Sequence, residues 1–367
     1  MLTNGLGNLL QAEVVTAVRF VDLFSGSGSV ANHVAQRYPV EVLATDLQAY
    51  SAVLAKAVIG RTTKVDAPRI WTAWYTRASI AVKRRGVPRS LKVTKAFVHD
   101  CRVWCEARKD YPITHAYGGH YYSPEQALWI DALRATLPRN EPSRTVALSA
   151  LIQVASQCAT APGHTAQPLQ PSRTSIQFFV DIWSWDIPTR VGATFTELST
   201  QHAQRTGAAY VADANDVAKE LREGDLVFID PPYSAVHYSR FYHVLETIAL
   251  GEPVAVTGVG RYPSLEYRPT SQYSLLSQAG STLDNLLQTL AGNGARAIVT
   301  FPDHACSNGL SGRDVIRIAA QYFHVWREVS VDSRFSTMGG TSTGTTAVAG
   351  RDARHNREEL MIVLNPR

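Results

Sequence analysis

Asp230-Pro231-Pro232-Tyr233 closes an apolar run, LVFID, at residues 226–230. A carboxylate is costly to bury and proline removes a backbone donor, so this ending needs a reason. Turn chemistry accounts for Asp-Pro but leaves the aromatic unexplained. Ligands of open α/β sheets bind at the carboxyl ends of strands. The four residues suit a planar base with an exocyclic amine. Asp230 accepts one N–H, and a backbone carbonyl such as that of Pro231, aimed by its fixed φ, accepts the other; Tyr233 offers a π-face. Two acceptors on one amine draw its lone pair out of conjugation and make it a better nucleophile. Such a reaction runs on positioning and electrostatics, with no metal and no covalent enzyme intermediate.

A second constellation lies near the start of the chain. The run RFVDLF (19–24) leads straight into Gly26-Ser27-Gly28, and a helical pattern starts at Ser29. A tight glycine turn lets a ligand approach the backbone, and the helix start aims free N–H groups at it. Asp46 ends the next apolar run, at the spacing where an acid accepts ribose hydroxyls. Strand, glycine turn, helix and acid together predict a nucleotide-type cofactor. Ala31 stands at the third glycine position of the dinucleotide fingerprint, which tolerates it, so this loop alone leaves the cofactor open. The plainer reading is a β–α turn whose Asp46 caps the next helix.

Seven segments read as strands: 19–24, 40–46, 208–213, 226–230, 295–301, 326–335 and 359–364. Most are continuous apolar runs, as in strands covered on both faces. Helical patterns at 29–37, 46–59, 242–249, 279–291 and 313–322 alternate with them, which predicts a mostly parallel α/β sheet. Only the Gly- and Thr-rich stretch 338–357 separates the last two strands, so these pair as an antiparallel hairpin.

The expected organisation is a catalytic domain in two parts, 1–59 and 201–367, around an insertion at 60–200. The insertion is largely helical. In YYSPEQALWIDALRATLP, Ser123 is the N-cap, Pro124 the first helical residue and Gln126 the partner in a capping box. Trp71, Trp74 and Tyr75 are expected in its core.

The chain has 367 residues, 45% hydrophobic and 18% charged, enough for a sizeable core. No apolar run reaches bilayer length and no leader-like segment begins it, so a cytoplasmic protein without membrane contact is expected. Four cysteines form no CxxC set, which predicts neither a metal site nor a disulfide framework. The net charge is +5, but residues 61–110 carry thirteen Lys/Arg against four acids, leaving the rest of the chain at −4. One basic block, including Lys83, Arg84, Arg85 and Arg89, predicts a surface that faces a polyanion.

FVDLFSGSGSV, AAYVADANDV and VFIDPPYSAVHYSRFYHVLETIA, in that order, resemble the adenine-N6 DNA methyltransferases that use S-adenosylmethionine. The large insertion between the glycine loop and the DPPY motif resembles their alpha arrangement, that of Dam-type and restriction–modification enzymes. The resemblance implies a Rossmann-like methyltransferase sheet of seven strands, one antiparallel, with an inserted target-recognition domain. It implies that Phe24, Gly26 and Gly28 line the methionine part of the cofactor, that Asp22 meets its amino group, Asp46 its ribose and Asp213 its adenine. It implies that Asp230, Pro231, Pro232 and Tyr233 hold a flipped adenine, with His237, Tyr238 and Arg240 at the substrate backbone. Double-stranded DNA is the implied partner, with a cognate restriction or defence component as a further one. The chain departs from the pattern twice. TNGLGNLLQAE lacks the usual early lysine, and TFPDHACSNGL (300–310) replaces a Ser-Tyr-Asn segment.

Three other readings stay open at this level. One is a methyltransferase acting on RNA or on a protein amide; another is a non-catalytic nucleic-acid module of the same fold. The third is a nicotinamide enzyme.

Overall fold

The computed structural model describes residues 2–82, 86–336 and 354–367. Seven strands form one sheet: β1 (Arg19–Asp22), β2 (Glu41–Asp46), β3 (Ala208–Val211), β4 (Asp225–Ile229), β5 (Arg296–Pro302), β6 (Phe323–Ser336) and β7 (Arg354–Pro366). Their order is β3-β2-β1-β4-β5-β7-β6. β1 pairs in parallel with β2 and β4, and β4 with β5, whereas β7 runs antiparallel to both β5 and β6. This is the predicted seven-stranded sheet with its single antiparallel strand. The order reverses between β1 and β4, so their carboxyl ends flank the topological switch point where α/β sheets bind ligands.

The chain divides into two compact bodies, one of Met1–Asp46, Ala212–Val236 and Ser271–Arg367, the other of Leu47–Val211 and His237–Thr270. In the first body every residue of β4 is buried, which explains its unbroken apolar run. Leu283, Leu286, Leu287 and Leu290 make one stripe of the helix Ala279–Gly292 and pack with Val227, Ile229 and Val299. At the other end of the sheet, Arg19 donates to both oxygens of buried Asp225, at 3.1 and 2.7 Å, and so ties the starts of β1 and β4.

The second body is largely helical. Its long helices are Ala49–Ile59, Ala67–Ala81, Lys95–Glu106, Pro124–Ala135, Ser143–Cys158, Ile187–Thr200 and Ser239–Leu250. Ser143–Cys158 is buried on most sides, with Val146, Leu151, Ile152 and Val154 fully covered, as a central helix must be. The predicted capping box forms: Ser123 accepts from the Gln126 N–H at 3.1 Å and Gln126 accepts from the Ser123 N–H at 3.0 Å. Trp74 is fully buried and donates to the Leu133 carbonyl. Trp71 packs edge-on against it, and Tyr75 stacks on Trp129 while 41% exposed.

Candidate active site

Three carboxylates end three adjacent strands of the first body: Asp46 on β2, Asp22 on β1 and Asp230 just past β4. The chain leaves β1 through Gly26 and Gly28, at φ +49° and +74°, a region that side chains disfavour. Gly28 is the N-cap of the helix Ser29–Arg37. The turn is pinned from β2: Asp46 accepts the Gly26 N–H at 2.9 Å, and the Ser25 N–H donates to the Thr45 carbonyl. A Cβ placed on Gly26 would come no nearer than 3.9 Å to the Phe24 carbonyl, so the face of the turn is open.

Asp22 is 1% exposed and its Oδ1 has no hydrogen-bond partner among the described residues. Burial pushes its carboxyl up to about 8. The charges of Asp230 and Asp46 push the same way, against bonds from the Phe24 and Ala31 backbone. Burial likewise pushes Asp230 up to about 7, with Glu359 adding to the rise and the Thr300 hydroxyl opposing it. Burial first, and neighbouring carboxylates second, raise both groups, as in a cleft short of positive charge.

The loop after β4 is held from several sides. Thr300 Oγ1, from β5, donates to Asp230 Oδ1 at 3.0 Å. Asn308 Nδ2 donates to the Pro232 carbonyl at 3.0 Å, and Ser307 Oγ accepts the Ala235 N–H at 3.0 Å. Tyr233 stands edge-on to buried Phe301, centroids 6.5 Å apart. Phe24 meets Tyr273 edge-on at 5.1 Å, and the Tyr273 hydroxyl donates to Asn215 Oδ1 at 2.6 Å. Asp213 caps the helix Ala214–Ala218 through the Asn215 N–H.

All ten residues expected at the cofactor and the base therefore belong to one body. Thr300, Asn308 and Tyr273 support them, and the charge of Glu359 acts on Asp230. Each lies 70 or more residues from the site residue it meets, and no local pattern marks it.

In the helical body, the residues after DPPY divide into scaffold and surface. His243 is buried between the Thr165 carbonyl at 2.8 Å and the Tyr117 hydroxyl at 3.2 Å, and burial pushes it down to about 3. Glu246 accepts the N–H groups of Ala49 and Tyr50, capping the helix Ala49–Ile59. Arg240 is exposed and lies over the Tyr262 ring at 4.7 Å, and Arg268 lies over the same ring at 5.4 Å. Burial and then Arg240 pull Arg268 down, and burial and then Arg268 pull His237 down, so the three side chains share one neighbourhood. Tyr238 packs edge-on against Phe241. Arg89 is exposed, whereas Lys83, Arg84 and Arg85 lie outside the described residues. A cavity of about 80 Å³ opens beside this segment, lined by Ser239, His243, Glu246, Tyr267 and Arg268 among others, and by none of the ten residues above.

The family model of the D12 class N6 adenine-specific DNA methyltransferases matches residues 2–72 and 193–286. The match covers somewhat under half of the chain, which resembles this family over these two segments. The matched segments carry the glycine turn, Asp46, Asp213 and the DPPY loop, and the unmatched stretch 73–192 lies in the helical body. Among curated relatives, the type II methyltransferase M.FokI of Planomicrobium okeanokoites is 25% identical over 283 residues, which is 73% of this chain and 38% of the relative. The modification methylase LlaI of Lactococcus lactis subsp. lactis is 22% identical, over 83% of this chain and 45% of its own length. The type II methyltransferase M.NlaIII of Neisseria lactamica is 25% identical, over 72% and 70%. The chain thus spans less than half the length of the first two. An rRNA methyltransferase, AviRa of Streptomyces viridochromogenes, superposes with a TM-score of 0.29 at 10% identity over 97% of this chain and 82% of its own, too loose a fit to bear on function. No described helix is long and apolar enough to cross a membrane.

Proposed function

We propose that the chain transfers the methyl group of S-adenosylmethionine to the N6 amine of an adenine extruded from DNA, at a specific sequence. The observation that carries this reading is the buried, unpartnered Asp22 Oδ1 beside a locked Asp230 loop, at the ends of adjacent parallel strands. The description of the matching family supports DNA as the substrate, and a restriction enzyme is proposed as a cognate component. The site of action is then the cytoplasm.

The residues present fit the cofactor. Its ammonium suits Asp22 Oδ1, and its ribose hydroxyls suit Asp46. The open face of Gly26 admits its methionine part, and the Phe24–Tyr273 wall offers apolar surface. When bound it supplies an electrophilic methyl on a positively charged sulfur, a charge that the carboxylates of the cleft stabilise.

Asp230 Oδ2 accepts one N–H of the adenine amine, while the Pro231 carbonyl accepts the other. Thr300 fixes the carboxylate and Asn308 the loop, so both acceptors are in place before the base arrives. Tyr233 stacks on the extruded ring. As the amine gains a methyl it loses a proton, and Asp230, its carboxyl raised to about 7, is poised to receive it. In the helical body, Arg240, Arg268 and Arg89 offer cations to backbone phosphates.

A transfer assay with labelled S-adenosylmethionine on duplex DNA, RNA and protein tests the proposal. Label in N6-methyladenine of DNA is expected. Label confined to RNA or to a protein amide would replace this reading with another acceptor for the same loop. Cofactor and DNA binding without any transfer would leave a nucleic-acid-binding module.

A further inference from the structure

The segment 300–310, where the chain departs from the Dam-type pattern, has so far supplied only contacts to the loop. Asn308 is its most buried polar side chain after Thr300, 1% exposed, and its amide is bonded at both ends. Nδ2 donates to the Pro232 carbonyl at 3.0 Å and to the Tyr273 carbonyl at 3.1 Å, while Oδ1 accepts the Leu310 N–H at 3.3 Å. Two carbonyl partners admit only the amino end of an amide, which settles the side chain's orientation. No other residue type of this size donates two hydrogens and accepts one.

The two carbonyls belong to different functional neighbourhoods. Pro232 continues the loop that begins at Asp230. Tyr273 meets Phe24 edge-on, and its hydroxyl bonds to Asn215, the residue whose N–H Asp213 caps. Asn308 therefore sits where the amine-acceptor loop and the Phe24–Tyr273 wall of the glycine-turn cleft can be tied by one group.

We propose that Asn308 is a positioning residue that fixes the spacing between the amine-acceptor loop and the cofactor wall. The proposal rests on reading 230–233 as the base site and the glycine turn as the cofactor site. Methyl transfer needs nucleophile and electrophile held in line, and misplacement by about 1 Å costs on the order of 100-fold in rate. A residue that only stabilised the fold would lower thermal stability and leave the surviving enzyme's kinetics intact.

The test compares Asn308→Ala with Thr300→Val, which removes the hydroxyl bond to Asp230, and with Leu286→Ala, a buried change on the helix Ala279–Gly292. Melting temperature, S-adenosylmethionine affinity without DNA, and kcat at saturation are measured well below every transition. Asn308→Ala is expected to lower kcat roughly 100-fold and to weaken cofactor binding about three- to tenfold. Thr300→Val should lower kcat with cofactor affinity within about twofold, and Leu286→Ala should lower the melting temperature while leaving both constants within about twofold. The proposal is overturned if Asn308→Ala keeps kcat within about threefold of the parent, or loses kcat with cofactor affinity unchanged. A parent that binds cofactor but never methylates adenine would sink the base-site reading instead. In that case the binding arm still judges the tie to the cofactor wall.

Discussion

Thr300 Oγ1 donates a 3.0 Å hydrogen bond to Asp230 Oδ1, across two neighbouring parallel strands. The bond favours the carboxylate form, while burial and the Glu359 charge disfavour it, and Asp230 sits near 7 as a result. In the proposed reaction Asp230 must be ionised to accept an amine N–H. Activity should therefore rise as pH increases through about 7 and level off above it. Thr300→Val removes an interaction that lowers the pKa and should move the acidic limb towards higher pH. Glu359→Gln removes a charge that raises it and should move the limb the other way. Profiles of kcat against pH for the two variants settle the matter, and shifts in the same direction would contradict the assignment.

Removing the acceptor itself should separate chemistry from binding. Asp230→Ala is expected to lower kcat by at least about 100- to 1000-fold, the loss typical of one preorganised polar group. Duplex affinity, measured by anisotropy at fixed salt, should stay within about threefold, because phosphate contacts dominate it. Undiminished turnover would remove Asp230 from the mechanism.

Tyr233 is assigned a stacking role, which depends on its ring and not on its hydroxyl. Tyr233→Phe should retain activity to within about threefold, whereas Tyr233→Ala should lose about 1–3 kcal/mol of base stacking. Fluorescence of 2-aminopurine at the target position reports extrusion directly. Equal losses in both variants would point to the hydroxyl and away from stacking.

The sheet was legible because its strands are short apolar runs separated by helical periods, and β4 is apolar throughout because both of its faces are covered. The Ser123 capping box was legible because its signal lies within four residues. Boundaries were less so. The helix read at 242–249 begins at Ser239, with a non-helical Tyr242 inside it, and the helix read from Asp46 begins at Ala49, where Glu246 caps it. The supports of the site could not be read at all. Thr300 and Asn308 look like ordinary strand and loop residues until the fold brings them to Asp230 and Pro232, 70 and 76 positions away. His243 and Glu246, although inside the family-like run after DPPY, prove to be buried scaffold of the helical body.

Asp22 gives the structure a pH-dependent weakness. Its carboxyl is raised from an ordinary value near 3.8 to about 8, so between these pH values the folded chain holds a proton that the unfolded chain has released. Stability from this group is fully present below about 4 and is lost as pH rises through about 8. The melting temperature of the cofactor-free protein should accordingly fall from pH 6 towards pH 8.5 (roughly the upper half of that interval), and Asp22→Asn should flatten the fall. At the proposed cofactor site, S-adenosylmethionine would bring a cation to this carboxylate and should restore stability most at the alkaline end. A melting curve whose pH dependence is unchanged by Asp22→Asn would assign the effect elsewhere.

Arg240 and Arg268 both lie over Tyr262, at 4.7 and 5.4 Å, and neither forms an ion pair with a carboxylate among the described residues. Arg268 Nε is buried with no hydrogen-bond partner there. Two like charges on one ring repel each other, and an anion placed between them relieves the repulsion. A phosphodiester is the anion that DNA supplies. Each contact releases condensed counterions, so the slope of log K against log salt should shrink by about 1 in Arg240→Ala and in Arg268→Ala, and by about 2 in the double variant. The loss should be equal on target and unrelated duplexes, because phosphates carry no sequence. Anisotropy titrations at four or more salt concentrations give the slopes. Unchanged slopes with a lowered melting temperature would make the Arg–Tyr–Arg stack a packing feature only.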